Sequence, residues 1–176
     1  DLQITENSIV VVSSAVSPSN PEILKAKALG VPILSRAEAL AIFMESKKSI
    51  AVAGTHGKTT TTSMLAVGLQ SLGLDPSFSI GGTINRGGTN AHLGSGEFFV
   101  AEADESDGSF VTYRPSGAII TNIELDHVDH FKNQTQLDEL FLTFVERFDP
   151  IGPLVVCGDD EGIIRLKPSL GRCITY

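Results

Sequence analysis

Ser49-Ile50-Ala51-Val52-Ala53-Gly54-Thr55-His56-Gly57-Lys58-Thr59-Thr60 decides the fold, because it sets a glycine-rich turn between an apolar run and a helix start. Ser49 to Ala53 reads as a short buried strand, and Thr60 to Ser71 as the helix that follows. Gly54 and Gly57 let the backbone turn tightly enough to aim successive N–H groups at one anion. Lys58 adds a point charge, a hydroxyl at Thr59 is placed to reach Mg²⁺, and the helix N-terminus contributes its partial positive charge. The stretch predicts a phosphate cradle and a nucleoside triphosphate ligand. It is a short variant, G-x-x-G-K-T. The longer G-x-x-x-x-G-K-S/T loop wants glycine at position 52, where Val52 stands. An ordinary strand-to-helix turn has the same outline, so the flanking strand and the threonine-rich helix start carry the reading.

The 176 residues have a formal net charge of −8, with 41% apolar and 19% charged residues. That length allows one domain or parts of two, and that balance supports a packed core. Acid is spread along the chain with no basic stripe, which argues against nucleic acid or an anionic membrane as the main partner. No apolar run approaches the roughly 18 to 20 residues of a membrane span. Cys157 and Cys173 are too far apart for a C-x-x-C site, so a reducing, cytoplasmic setting is expected. The opening at Asp1-Leu2-Gln3-Ile4, without methionine or a signal-peptide pattern, suggests a piece of a longer protein. Oligomeric state is not legible.

Outward from the loop, strands and helices alternate. Ile9 to Val12 reads as a buried parallel strand running into the small polar loop Ser13-Ser14-Ala15-Val16-Ser17. Asn20 caps a helix with Pro21 at its first position, and Gly30 ends it. Val31 to Leu34 is a second strand, and Ser35-Arg36-Ala37-Glu38 is a capping box opening a helix through Met44. The polar run Glu45 to Ser49 marks a boundary, giving units at 1–47 and 48–176. Gly81 to Gly96 reads as an irregular active-site loop, with strands at Glu97 to Ala101, Ala118 to Asn122 and Leu154 to Cys157. Thr135 to Asp138 reads as a second capping box, before a core-facing stripe of Leu137, Leu140, Phe141, Phe144, Val145 and Phe148. The expected class is α/β, with open parallel sheets, flanking helices and a phosphate-loop domain after a partial first unit.

Glu102-Ala103-Asp104-Glu105-Ser106-Asp107 places four carboxylates directly after an apolar strand. A solvated acidic loop is the plain alternative. Ligands of open parallel sheets collect at the carboxyl ends of the strands, which puts Glu102 in position to hold Mg²⁺ beside phosphates. Thr121-Asn122-Ile123-Glu124-Leu125-Asp126-His127 repeats the logic one strand later. His127 there reads either as a metal or phosphate contact or as a structural histidine, and His130 as structural. His56 lies in the loop itself, and Arg86 reads as exposed or as a contact for an anionic substrate.

Taken together, Gly54 to Thr62, Ala101 to Phe110 and Thr121 to His127 resemble three ordered signatures of the Mur ligase family. Those are ATP-dependent amide-bond-forming enzymes of peptidoglycan precursor synthesis. Ser13 to Val16 and Asn20-Pro21-Glu22 resemble the end of the family's uridine-nucleotide-binding domain. The resemblance implies a Rossmann-like UDP-substrate domain ending within 1–47 and a central ATP-binding domain within 48–176. It implies that Gly54, Thr55, His56, Gly57, Lys58, Thr59 and Thr60 bind ATP, that Thr59 and Glu102 hold one Mg²⁺, and that His127 helps hold a second. Lys58 and His127 are then the catalytic residues, and His56 and Glu105 the candidates for touching substrate. Ser106, where the murein-recycling branch has tyrosine, favours the branch that joins L-alanine to UDP-N-acetylmuramate through an acyl phosphate. Some relatives use a carboxylated lysine as metal ligand, for which Lys132 stands too close to His127. A non-catalytic nucleotide-binding module is the alternative from another class. A kinase or GTPase is a weaker one, since no N-K-x-D motif occurs.

Overall fold

A computed structural model describes residues 3–13, 15–84, 88–106, 108–126, 131, 133–149 and 151–176, in an α/β arrangement of two sheets. The smaller is a parallel pair, β1 (Val10–Val12) and β2 (Ile33–Ser35), linked by α1 (Pro21–Leu29) and followed by α2 (Arg36–Glu45). Local chemistry sets both helices. Asn20 accepts the Glu22 N–H at 2.8 Å ahead of Pro21, and Gly30 closes α1 in the left-handed region. Ser35 and Glu38 form the reciprocal box that starts α2.

The larger sheet holds β3 (Lys48–Ala53), β4 (Ser77–Ile84), β5 (Thr89–His92), β6 (Phe98–Glu102), β7 (Gly117–Ile120), β8 (Leu154–Val156) and β9 (Ile174–Thr175). Their spatial order is β5-β4-β6-β3-β7-β8-β9, and β4–β5 is the antiparallel pairing among otherwise parallel ones. The central strand β3 lies between β6 and β7, with Val52 beside Glu102 and Ala53 beside Ile120. That register delivers three connections to one edge: the loop after Ala53, the acidic run after Glu102 and the segment after Ile120.

Helices cover both faces. α3 (Lys58–Ser71) packs Ala66 against Phe78, Ile80 and Val100. On the other face α4 (Gln134–Val145) seats Leu137, Phe141 and Phe144 around Phe110, with ring centroids 5.5 and 4.8 Å apart for the two phenylalanine pairs. The whole stripe expected on α4, Leu140, Val145 and Phe148 included, packs in this core. α5 (Glu161–Leu166), capped by Asp160, and the edge strand β9 complete the sheet and were not expected.

Three local expectations are corrected. α3 begins at Lys58 rather than Thr60, because left-handed Gly57 takes the cap position. α4 is capped by Asn133, which accepts the Gln136 N–H at 3.0 Å, not by Thr135. The stretch from Gly81 to Gly96 is not irregular throughout: β4 occupies it to Ile84 and β5 from Thr89 to His92, paired antiparallel, while the described residues 93–96 lie outside any strand. Gly81, Gly94 and Gly96 serve close approach, whereas Gly88 takes a left-handed φ of 63° in open space. A Cβ on Gly81 would stand 3.0 Å from both Glu102 oxygens, and one on Gly96 would overlap the Leu74 carbonyl.

Candidate functional site

The loop between β3 and α3 is held in one shape by its neighbour rather than by itself. Gly54 has φ 132°, and a Cβ there would overlap Thr121 Oγ1 and lie 3.0 Å from the Asn122 carbonyl. Thr55 N–H donates to the Asn122 carbonyl at 3.2 Å, and His56 N–H to Asn122 Oδ1 at 2.8 Å. Asn122 Nδ2 and Thr121 Oγ1 in turn donate to the His56 carbonyl at 2.9 and 2.7 Å. The amides of Thr55 and His56 are therefore engaged within the protein. Beyond Gly57, at φ 80°, Lys58, Thr59 and Thr60 open α3, and first-turn N–H groups have no intrahelical acceptor. The backbone donors left without an intrahelical acceptor thus lie in the second half of the loop.

Lys58 is buried at the loop's base. Its ammonium donates to the Thr55 carbonyl at 3.1 Å and pairs with Glu105 Oε2 at 2.7 Å, with Asp104 at 3.9 Å. The Glu105 side chain is 1% exposed. Burial pushes its carboxyl above the ordinary range, and the Lys58 ammonium recovers only part of that shift. Three residues earlier, Glu102 does something different. It accepts the Thr59 hydroxyl at 2.9 Å with one oxygen and the Gly81 N–H at 2.6 Å with the other. Asp104 accepts the Ser106 N–H and hydroxyl at 3.2 and 3.0 Å. The acidic run therefore divides its described carboxylates among a hydroxyl and amide, a serine turn and an ammonium.

The structure brings Lys58, Thr59, Thr60, Glu102 and Glu105 to one edge. Glu105 is sealed against Lys58, while the exposed His56 ring sits 3.7 Å from the Glu124 carboxylate. His127 lies outside the described residues, as do Ser14, Arg86, Asp107, Asp129, His130 and Lys132. A cleft of about 630 Å³ opens next to this edge, between the smaller sheet and the larger, with Ser13, Arg36 and Phe43 facing Gly81, Glu102 and Tyr113. Thr121 and Asn122 were visible as part of a motif, but their hold on the loop depends on β7 lying beside β3.

The sequence matches the Mur ligase middle domain over residues 52–176. The chain belongs to the Mur ligase family. The Mur ligase family catalytic domain matches at residues 2–48. UDP-N-acetylmuramate–L-alanine ligase of Saccharopolyspora erythraea is 56% identical over 153 residues, 87% of this chain and 31% of that protein. The solved UDP-N-acetylmuramate-alanine ligase of Thermotoga maritima superposes with TM-score 0.79 at 32% identity, covering 96% of this chain and 38% of that one. The UDP-N-acetylmuramate:L-alanyl-gamma-D-glutamyl-meso-diaminopimelate ligase of Neisseria meningitides gives 0.78 at 32% identity, covering 95% and 56%. The chain spans about a third of the length of the curated relatives it matches. Within the described Mur ligase residues, no helix is long and apolar enough to cross a membrane.

Proposed function

We propose that a full-length protein carrying this chain is an ATP-dependent acid–amino acid ligase joining L-alanine to the lactyl carboxylate of UDP-N-acetylmuramate. The observation behind the reading is the meeting of Lys58, Thr59 and Glu102 beside the cleft, in a chain similar to ligases of that name. Residues 1–47 are then the latter part of the UDP-substrate domain and 48–176 the ATP-binding domain. A cytoplasmic setting follows from the substrates and suits the two free cysteines.

The residues present fit the groups required. Thr59 Oγ1 and Glu102 Oε1, 2.9 Å apart, are hard oxygen donors of the kind Mg²⁺ takes. Among the described residues no cluster of three or more His, Cys, Asp and Glu is placed to hold a metal. That suits an ion completed by phosphate oxygens and water. Bound there, Mg²⁺ would supply charge neutralisation between two anions. Lys58 and the first-turn amides of α3 hold the phosphates and stabilise charge as it shifts to the leaving oxygen. The muramyl carboxylate oxygen bonds to the γ-phosphorus as the bond to the ADP oxygen breaks. The amine of L-alanine then displaces phosphate from the acyl phosphate and gives up a proton. No protein nucleophile is needed, since positioning and ATP do the activation.

Lys58→Ala in the full-length protein should cut phosphate release dependent on L-alanine and UDP-N-acetylmuramate by about a hundredfold or more. Unchanged turnover would overturn the assignment. The similarity to the Neisseria ligase supports one second reading, and offering its tripeptide in place of L-alanine separates the two.

A further inference from the structure

We propose that Asn122 is a positioning residue of the phosphate site, a side-chain clamp that holds the short loop in its anion-binding shape before nucleotide arrives. The proposal rests on the nucleotide reading above and names a part of that site outside the loop.

Its carboxamide treats His56 as a neighbouring strand would. Oδ1 accepts the His56 N–H at 2.8 Å, and Nδ2 donates to the His56 carbonyl at 2.9 Å. The two bonds together fix which way the amide faces, because the N–H only donates and the carbonyl only accepts. Thr121 Oγ1 adds a second donor to the same carbonyl at 2.7 Å. The Asn122 backbone carbonyl takes the Thr55 N–H at 3.2 Å. Two residues beyond Asn122, Glu124 takes the Thr55 hydroxyl on its carbonyl at 2.8 Å and donates its N–H to that hydroxyl at 3.0 Å. Thr55 and His56 are thus each stitched to 121–124 by more than one bond, and Gly54 packs against Thr121 and Asn122.

A loop opening on Gly54 and ending on Gly57, both at positive φ, has wide conformational freedom of its own. Ordering such a loop on binding subtracts from affinity, and ordering it beforehand avoids that loss. The short G-x-x-G-K-T loop has few residues with which to brace itself. Here the bracing comes from the segment that follows β7, leaving the donors from Gly57 to Thr60 to face the ligand.

The test is calorimetric binding of ADP with Mg²⁺ to the full-length protein, beside melting curves without nucleotide and KM values for ATP and UDP-N-acetylmuramate. Asn122→Ala should raise the ADP dissociation constant about tenfold. It should also raise KM for ATP while leaving KM for UDP-N-acetylmuramate in place. His56 is exposed, so water takes over its amide and the melting point should fall by only a few degrees. Thr121→Val, which keeps the shape and removes one donor, should raise the dissociation constant about threefold. A purely structural role would lower the melting point without separating the two KM values. ADP binding within twofold of wild type for Asn122→Ala overturns the clamp. If that variant does not fold, unchanged binding by Thr121→Val does so. Lys58→Ala distinguishes the failures: lost binding there with Asn122→Ala unaffected sinks the clamp alone, whereas intact binding in Lys58→Ala sinks the nucleotide reading.

Discussion

The phosphate loop, residues 54–60, and the stretch from 81 to 96 are both rich in glycine, and each has a carboxylate as anchor, yet the two are built on opposite terms. In the loop, Gly54 and Gly57 adopt backbone angles that other residues resist. In the second stretch, Gly94 and Gly96 have ordinary angles and are small because the 74–76 backbone lies against them, while Lys47 bonds both carbonyls at 2.6 Å. The anchors differ as sharply. Glu105 is buried against an ammonium, and its carboxyl is pushed up by burial. Asp75 accepts the Ser95 N–H, the Ser95 hydroxyl and His92 Nε2 at 2.7, 2.8 and 3.0 Å, which holds its carboxyl well below the usual range. The hairpin's anchor is tuned for stability. The loop's anchor is a buried carboxyl 2.7 Å from the Lys58 ammonium, the group proposed above to meet phosphate.

The largest effect should come from alanine at Gly54, where strain and overlap with the Thr121–Asn122 segment add together. Gly54→Ala should cost about 3 kcal/mol or more and abolish ADP binding with Mg²⁺. Gly96→Ala carries no left-handed strain but overlaps the backbone carbonyl of Leu74, so a comparable loss of about 3 kcal/mol is expected, with ADP affinity retained. Urea melts and calorimetry on both variants check the pair. Equal loss of ADP affinity in the two would erase the contrast.

A smaller effect, of reversed sign, is expected at Glu105. A carboxyl whose pKa is raised on folding contributes stability that is present below its unfolded value and lost as pH rises through the folded one. Gln keeps an oxygen to accept from Lys58 and never ionises. Glu105→Gln should therefore match wild type near pH 4, where unfolded glutamate titrates, and melt slightly higher at neutral pH. A variant that melts well below wild type at neutral pH would show that the ion pair stabilises the fold outright.

How much of this was legible follows from how local each feature is. The phosphate loop, the Asn20 cap and the Ser35–Glu38 box are made by residues a few positions apart, so sequence alone displays them. The roles of Asn122, Glu102 and Glu105 are not local. They require Ala53 beside Ile120 and Val52 beside Glu102, a register that no run of residues spells out. Glu102 and Glu105 are the same residue type three positions apart, and only the turn after β6 sends one to Thr59 and the other to Lys58. Glycine content misled between 81 and 96 because a loop and a closely packed strand need the same small residue for different reasons. The two-residue strand β9 is too short to show a period at all.

The smallest effect, and the cleanest test of the contrast between anchors, is at Asp75. The position has φ 39°, which asparagine tolerates, so Asp75→Asn removes the charge without adding backbone strain. Asparagine still offers one oxygen to the Ser95 donors, but its amide nitrogen can meet His92 Nε2 only where that nitrogen carries no proton. At neutral pH the variant should melt modestly below wild type, with ADP affinity unchanged because Asp75 bonds Ser95 and His92 and none of the residues of the loop. The sign with pH is fixed by the lowered carboxyl. Its contribution is present above the unfolded value near 4 and is lost as pH falls towards the folded one. The gap between wild type and Asp75→Asn should accordingly narrow from about pH 5 downwards, the range in which Glu105→Gln should converge on wild type from the other side. A gap that stays constant down to acid unfolding would mean the hairpin is held by Lys47 and backbone packing, with the Asp75 charge contributing nothing.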